Sequence, residues 1–540
     1  MAFLQDGVKR LEIRRRMMRR PRLIHYNDGH HFHAKRIEPP TSRHFLNWPV
    51  DEVLGTGVDL LVLGLGYGDV YFHQSKVGRV VGEGKEVWES FIDWRIMRMV
   101  EAASDLGTDQ LRAVIERGRE TGLKVFPSLK LQDSAKLDSE RCGVLKRARG
   151  SEVCIGDEGR AEWCYDFAHQ AVQDDKLAMV GEVLEDYRAD GLELDFCFDN
   201  FYFKAVDVEK NIPLMNEFVA KVRDLAAEIG TRQGRQISLM ARVHLKEADN
   251  LASGLDVEAW FRAGSLDWVV GQDANVLVDP GIQAPWLAQV AGQGDGAAYY
   301  RPPRRVYDER VALPSVEIYR ALNQTLAWQG FAGMYLGYLP WPFSEREYQI
   351  LREAAFPGAH VRSEKSYTTQ PREGVPDEET TTPERELPQP LVEGETVVFD
   401  VWVADDVESA RLDNEMRQAT LTLRFAFFCI EDEINMRFNG RALAGDEVEI
   451  SDERALTIPL SLAGGMAVQA PLGFSAHWFR FRLLPKQIKR GSNRVEIEVV
   501  KLDPRAGFAR SINGAEILVR YKDFMRPEGF GRERIAPAGG

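Results

Sequence analysis

Two hydrophobic patterns alternate along the chain from residue 22 to about residue 356. Short apolar runs that suit strands are separated by amphipathic stretches with a helical period, such as 109–121, 171–187 and 214–229. The apolar runs predict eight strands, at 23–28, 58–66, 123–129, 191–198, 237–244, 266–273, 297–301 and 331–338. Eight strands separated mainly by helices are typical of a (β/α)8 TIM barrel, so we predict this α/β fold.

A doubly wound parallel sheet is the alternative for such a pattern. That fold binds nucleotides at a glycine-rich turn that joins its first strand to a helix. Here Gly64, Gly66 and Gly68 follow the second predicted strand, and no helical pattern begins directly after them. The sequence therefore favours the barrel, and it predicts no cofactor.

The composition changes after residue 356. Residues 363–390 are rich in Pro, Glu and Thr and poor in apolar side chains, which predicts a linker or a strap on the surface. From residue 395 the period is two, and the predicted strands are 397–403, 419–427, 434–438, 478–484 and 495–500. Short strands separated by Gly and Asn turns predict an all-β sandwich domain.

These changes divide the chain into five predicted parts. An N-terminal arm (1–21) precedes a barrel catalytic domain (22–357), and a linker or strap (358–394) follows it. A β-sandwich accessory domain (395–524) then leads into a flexible tail (525–540). Because the sandwich has enough apolar residues for its own core, we expect it to fold independently in a supporting role.

The charge of the chain restricts its partners. With 83 acidic and 69 basic residues the formal net charge is −14, which argues against nucleic acid. No apolar run approaches the roughly 18 residues of a membrane span, so we predict no membrane partner. The five cysteines form no CxxC pair, and no apolar segment follows the basic N-terminus. This predicts a cytoplasmic protein with free thiols; a trimmed export signal is the alternative, and the oligomeric state stays open.

The segment 190–199 has the strongest functional signal. Three apolar residues alternate there with Glu193, Asp195 and Cys197. Because a strand has a period of two, the apolar row is expected to face the helices and the polar row the barrel interior, with its last members at the catalytic mouth. Buried acids are costly unless they are paired or chemically active. We predict an active-site strand; a structural carboxylate bonded to backbone and Arg is the alternative.

Three segments resemble family-10-like glycoside hydrolases of uncharacterised bacterial genomes. They are Arg-Leu-Ile-His-Tyr-Asn-Asp-Gly at 22–29, Tyr-x-x-Asp-Gly-x-x-x-Asp at 187–195 and Gly-Phe-Ala-Gly-Met-Tyr-Leu at 330–336. The C-terminal part resembles galactose-binding-like sandwiches, through Glu-Ile-Asn-Met-Arg-Phe-Asn-Gly at 433–440 and Lys-Arg-Gly-Ser-Asn at 489–493. The resemblance implies a carbohydrate substrate and says little about which one.

The fourth strand also resembles the chitinase signature, an Asp-Gly-x-Asp-x-Asp-x-Glu run that ends in the general acid. Glu193 and Asp195 take the two inner acid positions, but Cys197 stands where the acid belongs. A thiol with an ordinary pKa of about 8.5 is a poor proton donor to a glycosidic oxygen. The chitinase mechanism is therefore not favoured.

Glycosidases normally use two carboxyl groups that flank the scissile bond. We predict Asp195 as the nucleophile because it lies nearer the mouth, with Glu193 a layer deeper. The resemblance to barrel glycosidases implies an acid on strand 6, which is Asp273 here; a helix cap or turn residue is the alternative. The two carboxyls are expected roughly 5–5.5 Å apart in a retaining enzyme or about 6.5–9.5 Å apart in an inverting one. Asp28 is the third candidate acid and suits sugar hydroxyls better.

Polar and aromatic residues near the predicted strand ends suit the hydroxyls and faces of a sugar. The substrate-binding candidates are Asp28, Asn27, His25, Arg242, His244, Trp341 and Tyr300. The aromatic residues on or near the connections that follow strands are Trp48, Trp88, Trp94, Trp286, Tyr300 and Trp341. Because most Trp side chains pack in cores, we expect two or three to line a cleft, with Trp341 the first choice.

Six of the ten histidines lie in the first 73 residues. His31-Phe-His33 resembles the His-x-His metal pair of barrel amidohydrolases, but the Lys on strand 4 or His on strand 6 of that family is not present, and His244 is the only supporting ligand. We therefore predict no metal. The sequence favours a glycosidase that acts on a poly- or oligosaccharide. A non-catalytic carbohydrate-binding barrel and a metal-dependent hydrolase that uses the N-terminal histidines are the alternatives.

Overall fold

The computed structural model describes residues 20–35, 42–273, 277–306, 313–370, 387–443, 448–453, 460–461, 467–468 and 476–522. Most of the predicted arm (1–21) and all of the predicted tail (525–540) lie outside these residues. Within the described part, no helix has both the length and the apolar character needed to cross a bilayer.

Eight parallel strands close into a barrel. They are β1 (Leu23–Asn27), β2 (Leu60–Gly64), β3 (Lys124–Lys130), β4 (Gly191–Asp195), β5 (Ser238–His244), β6 (Trp268–Gln272), β7 (Ala297–Arg301) and β8 (Gly333–Gly337). Each strand pairs with its neighbours in chain order, and β8 closes the barrel on β1. The predicted TIM barrel is confirmed, and so is the all-β region that follows it.

Helices occupy the connections between the strands. Those of the barrel region are α1 (His30–Lys35), α2 (Arg43–Leu46), α3 (Trp48–Asp51), α4 (Phe91–Asp105), α5 (Gln110–Thr121), α6 (Val144–Arg149), α7 (Gln170–Glu185), α8 (Val208–Gln233), α9 (Glu247–Ala252), α10 (Val257–Arg262), α11 (Pro285–Gly292), α12 (Val316–Gln329) and α13 (Glu345–Glu353).

Local sequence determines where these helices begin and end. In α5, for example, the Asp109 carboxylate accepts the backbone N–H of Arg112, and Gly122 ends the helix at φ +79°.

Alternate strand residues fill the inside of the barrel. The buried apolar cluster there consists of Ile24, Tyr26, Leu60, Val62, Phe126, Met240, Trp268, Val270, Ala297, Tyr299 and Tyr335. At the start of β4 the inner position is Gly191, where a Cβ would overlap the Phe126 ring and the Ser238 carbonyl. Because Gly191 has no side chain, strands β3, β4 and β5 can approach closely below Glu193 and Asp195.

Two larger antiparallel sheets and a small two-stranded one, which pairs Leu460–Ser461 with Ala467–Val468, form the described all-β region. The strands of the two larger sheets are β9 (Lys365–Thr369), β10 (Gln389–Pro390), β11 (Thr396–Val403), β12 (Met416–Ala426), β13 (Glu433–Phe438), β14 (Arg441–Ala442), β15 (Val448–Glu453), β16 (Ala476–Leu483), β17 (Gly491–Lys501) and β18 (Ser511–Tyr521), and one helix, α14 (Val407–Leu412), lies between them in the chain. One sheet has the order β9-β18-β12-β16-β15, with β10 also paired to β18, and the other has the order β11-β17-β13-β14. Inward-facing residues such as Leu421, Phe425 and Ile497 are fully buried.

Part of the predicted linker belongs to the first of these sheets. Strand β9 pairs antiparallel with β18 over the register Lys365 to Val519 through Thr369 to Ala515. The prediction of a surface strap is therefore wrong for this stretch. Its Tyr367 is fully buried in the core, and Lys365 is held by the Asp405 carboxylate at 3.2 Å, so neither side chain is left in solvent.

Residue contacts divide the chain into two compact units. The first contains the barrel strands and comprises 1–274, 284–302 and 329–344, and the second comprises 275–283, 303–328 and 345–540. Most of α12 and all of α13 thus group with the sandwich. Within that unit, Ala321 is buried in the sandwich core, and Trp328 stacks on Trp402 with the ring centroids 5.4 Å apart. The domain boundary at residue 357 and the independent folding of 395–524 stay predictions.

We expect the Trp328–Trp402 stack to stabilise the second unit. Replacing Trp402 with Ala removes this partly exposed stack, and should lower the free energy of unfolding by about 2 kcal/mol. The exposed Val398 on the same strand gives a matched control, since Val398→Ala should change it by less than about 0.5 kcal/mol. Differential scanning calorimetry measures both; equal transition temperatures for the two variants would contradict this role.

Candidate active site inside the barrel

Strand β4 directs its two acids into the barrel, as the alternation predicts. Glu193 and Asp195 lie on its inner face and are 0% and 1% exposed, while Leu192 and Leu194 occupy the opposite face. Asp195 is the last residue of the strand, so its side chain lies at the C-terminal end of the barrel. This is the end at which TIM-barrel enzymes place their reacting groups.

Glu193 accepts hydrogen bonds from two neutral hydroxyls and lies beside a guanidinium. Its Oε1 accepts the Ser128 hydroxyl at 2.6 Å and the Tyr335 hydroxyl at 3.0 Å, and the Nε of Arg242 lies 3.7 Å from the same oxygen. Among the described residues, its Oε2 has no hydrogen-bond partner. Burial raises the pKa of Glu193, and the nearby Asp195 adds to the effect while Arg242 opposes it.

Asp195 instead forms a buried ion pair. Its Oδ2 accepts a hydrogen bond from the Nη2 of Arg242, and its Oδ1 accepts the backbone N–H of Cys197 at 2.9 Å. The two partners are opposite each other in the register of β4 and β5. The guanidinium lies against aromatic rings, 4.7 Å from the Tyr26 centroid and 5.7 Å from that of Tyr335. Arg242 thus serves as the counter-ion of Asp195, a role the sequence did not predict for it.

Lys130 is a functional candidate that the sequence analysis missed. It ends β3 on the inner face, opposite Asp195 in the strand register, and is only 9% exposed. Its Nζ donates to the carbonyl of Gly66 at 2.8 Å and lies 4.0 Å from the Phe198 ring centroid. Burial lowers the pKa of Lys130, and the Asp28 and Asp195 carboxylates partly offset this. The polar residues Ser128 and Lys130 at a spacing of two were the available signal.

A small cavity near the ends of β1 and β8 brings four predicted residues together. His25, Asn27, Asp28 and Trp341 line it, and its volume is about 50 Å³, room for one or two water molecules. The indole Nε1 of Trp341 donates to Glu52 at 3.1 Å. Trp48, another of the predicted aromatics, also lines the cavity. As it stands the cavity is smaller than a sugar ring.

Two of these cavity residues have structural duties. The Asn27 Oδ1 accepts the backbone N–H of Gly29 at 3.0 Å, which stabilises the turn after β1. His25 is 3% exposed and lies edge-on to Phe343 with the ring centroids 5.8 Å apart. Burial lowers the pKa of His25 to about 4, so it is neutral near pH 7. Asn27 therefore stabilises the turn at the mouth, and His25 packs on Phe343.

Three other predicted residues lie apart from this cavity. Tyr300 alternates with the inward-facing Tyr299 and packs on Phe331, with the ring centroids 6.5 Å apart and the side chain 1% exposed. This placement favours a packing role over sugar binding. His244 ends β5, is mostly buried, and has its Nε2 3.5 Å from the Ser253 hydroxyl. Asp273 directly follows β6 and is partly exposed; its predicted separation from Asp195 stays a prediction.

The N-terminal histidines bear on the metal alternative. The Nδ1 of His33 lies 2.8 Å from the Gly29 carbonyl, and its ring is 1% exposed. Burial lowers the pKa of His33 to about 4. The side chain of His31 lies outside the described part. Within that part, no group of three His, Cys, Asp or Glu side chains is arranged to hold a metal ion.

Comparisons with known proteins leave the family open. No family model and no curated protein matches the chain. Among solved structures, similar folds include a cycloisomaltooligosaccharide glucanotransferase from Paenibacillus sp. (10% identity, 92% of this chain, 57% of that chain, TM-score 0.35). A second is the PgaB glycoside hydrolase domain from Bordetella bronchiseptica (14% identity, 62% of this chain, 98% of that chain, TM-score 0.40). A third is an α-galactosidase from Thermus thermophilus (17% identity, 62% of this chain, 65% of that chain, TM-score 0.36). At TM-scores below 0.5 these likenesses decide nothing about function, and the chain spans little more than half of the first enzyme.

Removing the Arg242 counter-ion should lower the free energy of unfolding, because the buried acids then lack a compensating charge. Arg242→Leu leaves Asp195 and Glu193 without their cation and is expected to destabilise the fold by about 3–5 kcal/mol near neutral pH. Because Arg242 opposes the effect of burial on Glu193, the pKa of Glu193 in the folded state rises further above its unfolded-state value in this variant. The folded state then binds protons more tightly, so the lost stability should partly return as the pH falls from about 8 to about 5.

Thermal denaturation at both pH values tests this. The control is Arg232→Leu, which removes a half-exposed surface pair with Glu185 and Glu228. It should cost less than about 1 kcal/mol, with no recovery on acidification. An Arg242→Leu protein as stable as the wild type at both pH values would contradict the assignment of Arg242 as counter-ion.

Proposed function

We propose that the barrel is a glycoside hydrolase that acts on a poly- or oligosaccharide, with Asp195 as the nucleophile and Asp273 as the acid/base. The observation that carries the proposal is the position of the Asp195 carboxylate. It lies inside the C-terminal end of the barrel and forms an ion pair with Arg242 of the neighbouring strand β5. A buried carboxylate beside a guanidinium at the mouth of a barrel is a suitable nucleophile toward an anomeric carbon.

In this mechanism the roles of the two inner acids of β4 differ. Asp195 attacks the anomeric carbon while Asp273 donates a proton to the departing glycosidic oxygen; water, deprotonated by Asp273, then releases the sugar from Asp195. At a wider separation of the two carboxyls, Asp195 would act as a base toward water instead. Glu193, a layer deeper, positions Tyr335 and Ser128 beneath the reaction centre.

Sugar recognition is assigned to the residues around the mouth. Asp28 and Trp341 line the cavity beside β1, and a carboxylate next to an indole suits a hydroxyl group and a ring face. Side chains around this small cavity would have to move to admit a sugar ring. Asn27 supports the turn that carries Asp28.

A non-catalytic carbohydrate-binding barrel is the second candidate. The observation that favours it is that both oxygens of Asp195 are engaged, one by Arg242 and one by the Cys197 N–H. Cys197 also stands where chitinases carry their proton donor. A carboxylate bound on both sides fits the structural role considered above equally well, so activity decides between the two.

The decisive variant is Asp195→Asn. It keeps the size of the side chain and an acceptor for the Cys197 N–H, but it removes the nucleophile, so sugar release should fall by on the order of 10³-fold or more. The matched control is Asp190→Asn at the opposite end of the same strand, where Oδ2 accepts the Val125 N–H at 3.1 Å. This control should keep near wild-type activity.

Reducing sugar released from a panel of glycans is measured for both variants. Activity in Asp195→Asn at the wild-type level would exclude Asp195 as nucleophile. No activity of the wild type on any glycan would favour the binding protein.

The role of Asp273 can be separated from that of Asp195 by the leaving group. An acid that protonates the glycosidic oxygen matters little when the leaving group is already stable as an anion. Asp273→Asn should therefore abolish most release of sugar from natural glycans, by about 10²-fold or more, yet spare hydrolysis of a dinitrophenyl glycoside. Equal losses on both substrates would assign the proton donor to another residue, with Asp28 next.

A further inference from the structure

A second and much larger cleft lies between two loops that leave the C-terminal ends of neighbouring strands. One loop follows β2 and the other follows β3, so the cleft is on the same side of the barrel as Asp195. Its volume is about 720 Å³, within the range of roughly 300–1,000 Å³ that ligand pockets occupy. The proposed chemistry uses no residue of this cleft.

Two aromatic rings line the cleft. Tyr67 is 9% exposed and has the Arg141 guanidinium 4.3 Å from its ring centroid, and Trp88 has the Lys85 ammonium 4.8 Å from its centroid. Aromatic side chains continue beyond Ser90 and Asp93, which also line the cleft, because Phe91 and Trp94 stack on each other and are 68% and 41% exposed. Exposed stacked rings with polar neighbours are suited to a ligand with both apolar faces and hydroxyl groups.

The charges of the lining balance. Four basic and four acidic side chains face the cleft. Several are already paired: Lys85 forms an ion pair with Glu140, and Asp93 accepts the Tyr67 hydroxyl at 3.3 Å. A strongly anionic or cationic ligand would meet as many like charges as opposite ones. A neutral ligand with many donors and acceptors fits this lining better.

Side-chain hydrogen bonds to backbone carbonyls fix the walls of the cleft. Arg79 bridges the two loops by donating to the carbonyls of Glu140 and Cys142, each at 3.1 Å. Behind the second loop, the buried Lys146 ammonium donates to three carbonyls, those of Asp133 at 2.6 Å, Trp163 at 2.9 Å and Ala135 at 3.0 Å. The cleft is therefore preformed, which lowers the entropy cost of binding.

A hydrogen bond connects one wall of the cleft with the candidate active site. Lys130, opposite Asp195 in the strand register, donates to the carbonyl of Gly66, which is next to Tyr67 in the chain. We propose that the cleft binds several units of a neutral polysaccharide chain that extends from the reaction centre, with the Trp88 ring stacking on a sugar face and Tyr67 forming part of the wall. The inference rests on the proposed hydrolase for the identity of that centre; it makes the substrate a polymer bound along the barrel face.

Native affinity electrophoresis tests binding without requiring hydrolysis. The full-length protein with Asp195→Asn is run through gels that contain mixed-linkage β-glucan, xylan, galactomannan, pullulan or polygalacturonate. In this background, Trp88→Ala should weaken retardation by at least one neutral polysaccharide roughly tenfold or more. Arg141→Ala, at an exposed position on the rim, should weaken it without disturbing the fold. The control is Phe356→Ala, an exposed aromatic outside the cleft that should leave retardation unchanged.

The outcomes separate this inference from the proposed activity. Retardation by a neutral polysaccharide that both cleft variants reduce supports the inference, whether or not the wild type hydrolyses that polymer. The inference is overturned by an absence of retardation in every neutral gel, by retardation in polygalacturonate alone, or by a folded Trp88→Ala protein that migrates like its parent. Loss of hydrolysis alone counts only against the proposed function.

Discussion

The ion pair between Arg242 and Asp195 is the interaction on which the C-terminal end of the barrel interior depends. Both side chains are almost fully buried, and Glu193 lies beside them. A buried charge without a partner lowers the stability of the fold by several kcal/mol, so Arg242 and Asp195 each need the other to remain buried. Tyr26 and Tyr335 then pack on the flat guanidinium, which links β1, β4, β5 and β8 across the interior. The same residues therefore serve stability and the proposed chemistry, and a change that alters charge without altering shape is needed to separate the two.

Much of the fold could be predicted from periodicity. The eight barrel strands were placed within a few residues because each is a short apolar run between amphipathic helices, and the inward direction of Glu193 and Asp195 followed from a period of two. In the sandwich, β18 was missed because Asn513-Gly514 has the composition of a turn. In the structure the pairing of β12 shifts there, from Arg424 opposite Gly514 to Phe425 opposite Ile512, which leaves Asn513 as the extra residue of a β-bulge.

The candidate site was predicted less completely, because sequence does not show how neighbouring strands are staggered. Lys130 became a site residue only through its register opposite Asp195, and Arg242 became a counter-ion rather than a sugar ligand for the same reason. Tyr300 illustrates the opposite error, since two adjacent tyrosines leave open which one faces inward. Tyr299 does so, and its hydroxyl donates to the Pro21 carbonyl at 2.8 Å.

The grouping of α12 with the sandwich has a consequence for how such proteins can be recombined. A modular enzyme exchanges its accessory domain when the join lies in a solvated linker. Here the natural join at the end of α13 would leave Ala321 and the Trp328 ring without the sandwich residues that cover them. An incoming domain would have to provide its own substitute for Trp402 and for the Arg490 guanidinium, which lies 4.5 Å from the Trp328 ring centroid. The two halves of this chain are therefore expected to be inherited together.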